Sequence, residues 1–126
     1  MGDALRVVIA DDDSDLLLLL GLQLSRVDGI EVVGEARDGQ AVLQLCDEAH
    51  PDVLVLDLLM PVMSGVEALP KLRERFPALA IVACSAVAGQ MVRELTDRLG
   101  VPLVLKSGRI EPILDAIRAA VDSKAA

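Results

Sequence analysis

At 126 residues, 53% of them hydrophobic, the chain has room for one domain with one substantial core. A net charge of −8 and a pI near 4.5 argue against direct nucleic-acid binding. No apolar stretch reaches the roughly 18 residues of a membrane span, and Met1-Gly2-Asp3-Ala4 lacks the basic segment and apolar core of a secretion signal, so a cytoplasmic protein is expected.

In chain order, Leu5–Ala10, apolar but for Arg6 and with a β-branched centre, reads as a strand running into Asp11 and Asp12. Residues 14–27 read as a helix, Ile30–Ala36 as a strand, and 39–49 as a helix behind the N-cap Asp38. Val53–Asp57 is an apolar strand with a carboxylate at its tip. The stretch 64–76 is a helix opened by Ser64-Gly65-Val66-Glu67, a capping-box spelling, and Pro70 predicts a bend near Val66–Leu69. Leu79–Cys84 reads as a strand, 88–99 as a helix closed by Gly100, Leu103–Leu105 as a strand and 109–122 as a helix. This leaves one domain over residues 4–122 and a tail, or the start of a linker, at 123–126. Five strand–helix units with mostly buried strands predict an α/β fold, a doubly wound parallel sheet covered on both faces.

Cys46 and Cys84 lack metal-ligand spacing and read as buried, reduced thiols. His50, before Pro51, reads as a solvated residue at a helix end. The first helix is nearly apolar all round. At about 100° per residue, Leu16, Leu19, Leu20, Gln23, Leu24 and Val27 form the expected sheet-facing stripe, with Leu18 and Leu22 opposite and Leu17 and Gly21 between.

Open α/β sheets place their ligand chemistry at the carboxyl ends of their strands. If the first and third strands are parallel neighbours, Asp11, Asp12 and Asp57 meet at one edge. Two such charges about 4 Å apart repel by about 1 kcal/mol in water and about 4 in a partly buried setting, so the cluster suits a hard divalent cation. Taken singly, each feature has a plainer reading. Lys106 can be a surface lysine, Ser85 a strand-end cap, and Asp11-Asp12-Asp13-Ser14-Asp15 a charge-rich helix start favoured by the dipole.

Taken together, Asp11-Asp12, Asp57, Ser85 and Lys106 at four strand ends resemble the receiver domain of two-component response regulators, over about residues 4–122. The resemblance implies a flavodoxin-like fold of strand order 2-1-3-4-5. It implies Asp57 as phosphoacceptor from a sensor histidine kinase, with Mg²⁺ held by Asp12 directly, by Asp11 mainly through water, by Asp57 and by the carbonyl of Leu59. Ser85 would be the switch hydroxyl and Lys106 the cation on the phosphoryl group. Leu59 and Val87, two residues after Asp57 and Ser85, would flank the path of a hydrolytic water. Phosphorylation would change the surface of the fourth helix and fifth strand, and the domain would catalyse only its own phosphorylation and dephosphorylation. Leu103 stands where the family often has an aromatic switch residue, Ser107 where proline commonly follows the lysine, and Ser85 where threonine is frequent.

Either a stand-alone receiver or the front half of a longer regulator with a C-terminal DNA-binding domain fits this pattern. The leucine-rich first helix fits docking of the kinase or of a second copy in a homodimer. A haloacid-dehalogenase-like phosphatase would need a second acid where Leu59 stands. A flavodoxin-like nucleotide binder would need a Gly- or Ser/Thr-rich loop where Asp11-Asp12-Asp13 stands. An unphosphorylated interaction receiver would be expected to have lost some of the five site residues, and all are present.

Overall fold

The computed structural model describes residues 3–60, 62–87 and 89–125. Its elements alternate as β1 Leu5–Ala10, α1 Ser14–Ser25, β2 Ile30–Ala36, α2 Gly39–Ala49, β3 Val53–Asp57, α3 Gly65–Arg75, β4 Ala80–Ser85, α4 Gln90–Leu99, β5 Leu103–Leu105 and α5 Glu111–Ala125. The strands form one sheet of order β2-β1-β3-β4-β5, and every pairing is parallel. Both features agree with expectation. No helix among the described residues is long and apolar enough to cross a membrane.

Successive side chains of a strand point to opposite faces, and the sheet sorts its core that way. Val7, Ile9, Val53, Val55, Ala80, Val82 and Cys84 pack with Leu17 and Leu24 of α1 and Ala116, Ile117 and Ala120 of α5. Val8, Ala10, Leu54, Leu56, Ile81 and Ala83 pack with Val42 and Cys46 of α2 and Leu69 and Leu72 of α3. The inner strands β3, β4 and β1 from Val7 onward are buried on both faces, which is why they read as continuous apolar runs.

Local chemistry sets the helix ends. Asp13 caps α1 by accepting from the Asp15 N–H, Asp38 caps α2, and Ser64 and Glu67 complete the capping box of α3. His50 closes α2 in the left-handed region at φ 47° and is exposed, as a boundary residue should be. The first helix stops at Ser25 rather than residue 27, because Val27 N–H turns back to the Leu24 carbonyl and Gly29 takes φ 86°. The last helix runs past Asp122 to Ala125, its end tied by Lys124 Nζ donating to the Pro77 carbonyl at 2.9 Å. Pro70 lies inside α3, which is not divided by it. The expected helix start at Ala88 and the last tail residue, Ala126, lie outside the described residues.

One expectation is corrected. Of the expected stripe, Leu24 and Leu20 do pack on the sheet side, but the helix is turned so that Leu17 and Gly21 join them and Leu16 and Leu19 do not. Leu17 and Leu24 are 4% and 0% exposed, whereas Leu16 and Leu19 are 40% and 44% exposed. A helix of leucines gives periodicity nothing to choose between, so packing chooses. A Cβ at Gly21 would lie 3.5 Å from Ile9 Cδ1 and 3.1 Å from Glu35 Oε2, so the small residue faces inward. Leu18 and Leu22 are exposed as anticipated.

Both cysteines are buried and unpaired. Burial pushes the Cys46 thiol up to about 11, with Asp47 adding to it. Burial likewise pushes Cys84 up to about 12, against the opposing pull of Lys106. Thiolate, the reactive form, is therefore scarce in the folded state. At pH 8 both thiols should react with maleimide at least about 100-fold more slowly than a free cysteine of ordinary pKa. Both should become reactive in urea. Rapid stoichiometric labelling of the native protein would contradict this.

Candidate functional site

Register brings the site together. Ala10 pairs with Leu56, so the next residues on each strand, Asp11 and Asp57, stand side by side. Lys106 follows β5, and its N–H donates to the Ser85 carbonyl at 2.9 Å. Asp11 continues the parity of Val7 and Ile9, Asp57 that of Val53 and Val55, and Lys106 that of Val104, so all three lean to the α1–α5 side of the sheet.

There Lys106 Nζ donates to Asp11 Oδ2 at 2.8 Å and to Asp57 Oδ2 at 3.0 Å. Asp57 is 3% exposed and Asp11 7%. The other oxygens are held as well, with Leu59 N–H donating to Asp57 Oδ1 at 3.1 Å and Asp13 N–H to Asp11 Oδ1 at 2.9 Å. Burial raises the Asp57 carboxyl above its usual range, against the opposing effects of the Leu59 N–H and Lys106. Burial lowers Lys106, but its bonds to Asp11 and Asp57 outweigh that and leave it raised.

Asp12 is exposed, and one carboxylate oxygen each from Asp11, Asp12 and Asp57 lies within 4.8 Å of the others. Mg²⁺ binds through oxygen donors, typically one or two carboxylates together with waters. The donors are all hard oxygens, and the residues fit that ion.

The α3 start is pressed against the acceptor backbone. A Cβ on Gly65 would run into the Asp57 carbonyl oxygen and come within 2.6 Å of Leu58 Cα. Gly65→Ala should therefore cost about 1–3 kcal/mol of overpacking, read as a lower urea midpoint at unchanged m-value. Wild-type stability in that variant would mean the contact is not tight.

Ser85 is 1% exposed, but its hydroxyl is not on the carboxylates. It donates to the Val87 carbonyl and accepts from the Val87 N–H. Its strand parity is that of Ile81 and Ala83, on the face away from Asp57. Leu59 is half exposed and Val87 two-thirds exposed. The Lys106–Ser107 bond is trans, there being no cis peptide among the described residues. A groove leads from Asp57 between Leu16, Leu19, Leu20 and Gln23 of α1 and Leu105, Arg109 and Ile113, and the exposed Leu16 and Leu19 face it.

Arg37 is not among the residues the sequence singles out, yet its Nη2 donates to the Asp12 carbonyl at 3.4 Å. The available signal was its place as the first residue after β2, the same strand-end logic that finds the aspartates.

A family model for the response regulator receiver domain matches residues 7–118. The chain is 35% identical over 117 residues to the transcriptional regulatory protein LiaR of Bacillus subtilis, covering 92% of this chain and 56% of LiaR. It is 29% identical to the chemotaxis protein CheY of Listeria monocytogenes, covering 92% of this chain and 98% of CheY. The response regulator domain of Thermotoga maritima CheB superposes with a TM-score of 0.84 at 25% identity, covering 94% of this chain and 97% of that one. The chain thus spans about half the length of LiaR and nearly all of a CheY.

Proposed function

The chain belongs to the response regulator receiver domain family, and on that footing we propose that Asp57 takes a phosphoryl group from a sensor histidine kinase in a Mg²⁺-dependent reaction, switching an output partner or fused domain. The observation that carries this is the buried Asp57 carboxylate, bonded to Lys106 and within reach of Asp11 and Asp12.

Asp57 needs no general base, since an ionised carboxylate is already a nucleophile. One of its oxygens forms the new bond to phosphorus. The bond from phosphorus to the donor's imidazole nitrogen, or to the acetate oxygen of acetyl phosphate, breaks, and its electron pair leaves with the donor. Mg²⁺, held by Asp11, Asp12, Asp57 and the Leu59 carbonyl, would neutralise charge on the phosphoryl oxygens. Lys106, released from its two carboxylates, supplies a positive charge to a phosphoryl oxygen. Ser85 would serve as the switch hydroxyl only if it gave up its bonds to Val87 and the end of β4 turned it toward Asp57. A kinase or a second copy docking on α1, a DNA-binding output domain and action in the cytoplasm belong to the same proposal.

Intact mass after incubation with acetyl phosphate tests it. One phosphoryl addition should appear with Mg²⁺ and vanish in EDTA. In calorimetric titration, Asp12→Ala should weaken Mg²⁺ more than Asp11→Ala, whose carboxylate already bonds Lys106. Labelling that is indifferent to EDTA would overturn the metal's role.

A further inference from the structure

The lip of the carboxylate cluster carries a cation that the phosphoacceptor chemistry leaves unused. Asp11 N–H donates to the Ala36 carbonyl at 3.1 Å, so Arg37 emerges from β2 beside Asp11 and Asp12. The loop is pinned beyond it. Ala41 N–H donates to the Asp38 carboxylate at 2.8 Å, and Gly39 N–H to the Met63 carbonyl at 2.7 Å. The backbone at 37 is therefore held from both sides, while the side chain is exposed. Its guanidinium touches the Asp12 carbonyl at 3.4 Å and, among the described residues, pairs with no carboxylate. Its charge therefore stands beside the exposed Asp12, at the edge of the carboxylate cluster, with no ion pair to offset it.

We propose that Arg37 admits dianionic phosphodonors to Asp57, offsetting the field of Asp11, Asp12 and Asp57 without being a ligand of the transferred group. The inference rests on the phosphoacceptor reading and deepens it by naming the donor's charge as what this side chain selects. Coulomb energy is proportional to charge, so the proposal has a quantitative form. Whatever factor Arg37 contributes for a monoanionic donor is squared for a dianion at the same position. The sign reverses for a cation, and Arg37 must weaken Mg²⁺ binding at the adjacent Asp12. A residue that merely supported the loop would do neither.

The test compares acetyl phosphate, a dianion at neutral pH, with phosphoramidate, a monoanion, by intact mass on the whole chain at low ionic strength. Arg37→Ala should slow labelling by about 2–3-fold with phosphoramidate and about 4–9-fold with acetyl phosphate. Arg37→Lys should recover most of both rates, and about 0.5 M salt should bring wild type and Arg37→Ala together by screening. Calorimetry without donor should show Arg37→Ala binding Mg²⁺ several-fold more tightly. Equal slowing with both donors, or weaker Mg²⁺ binding, would make Arg37 a structural residue and overturn the proposal, as would unchanged rates. Failure of the wild type to label with either donor would instead sink the phosphoacceptor reading itself.

Discussion

Asp57→Asn should lose the mass increase of about 80 Da that one phosphoryl group adds, and should melt at a higher temperature than the wild type. The first effect is all or none, because Lys106 and the other carboxylates only surround the nucleophile. The second follows from burial. The Asp57 carboxyl is raised by desolvation, so the folded domain binds a proton there more readily than the unfolded chain. Ionisation at neutral pH therefore costs stability, and that cost disappears as pH falls through the raised folded pKa. Asn keeps the shape and the Leu59 N–H partner without the charge. A gain of about 1 kcal/mol corresponds to about 3–6 °C in Tm for a domain of this size, measured by calorimetry at pH 7 without Mg²⁺. The gap between wild type and variant should narrow toward acid pH. Continued single phosphorylation of Asp57→Asn would move the acceptor elsewhere. A lowered Tm would mean that the bond to Lys106 outweighs burial.

The phosphorylated domain should hold its phosphoryl group for many minutes to hours. Hydrolysis needs a water placed in line with the Asp57–phosphorus bond, and loss of such positioning changes rates by orders of magnitude. Leu59 and Val87, which the family pattern puts beside that path, are 50% and 66% exposed. Neither can orient a water. Leu59→Asn with Val87→Lys should shorten the half-life by about 10-fold or more, followed by intact mass after removal of acetyl phosphate. A half-life of a few seconds for the wild type, with no phosphatase present, would show that apolar flanks do not protect the bond.

Much of this was readable along the chain, and the strand ends show why. Burial on both faces makes β3, β4 and, after Arg6, β1 unbroken apolar runs, so the polar residue that ends each run marks a strand end. Asp11, Asp57 and Ser85 announce themselves that way. Alternation carries further than the expected elements used it. Counting by twos from Ile9, Val55 and Val104 puts Asp11, Asp57 and Lys106 on one face, and counting from Ala83 puts Ser85 on the other. The caps at Asp38 and Ser64–Glu67 are local hydrogen bonds, and local sequence suffices for them.

What the chain alone left undecided depends on contacts between residues far apart. The two bonds of Lys106 span 95 and 49 residues, and that of Arg37 to Asp12 spans 25. Each exists only through strand register. The rotation of α1 is the clearest case. Leucine at nearly every position leaves no moment to orient the helix, and the decision falls to Gly21, whose missing side chain lets α1 close on Ile9 and Glu35. The family and the strand-end chemistry are properties of the sequence. Which leucines face outward, which oxygens share Lys106, and where Ser85 and Arg37 spend their hydrogen bonds are properties of the packed molecule, because periodicity reports a preference for burial and only packing decides what lies against what.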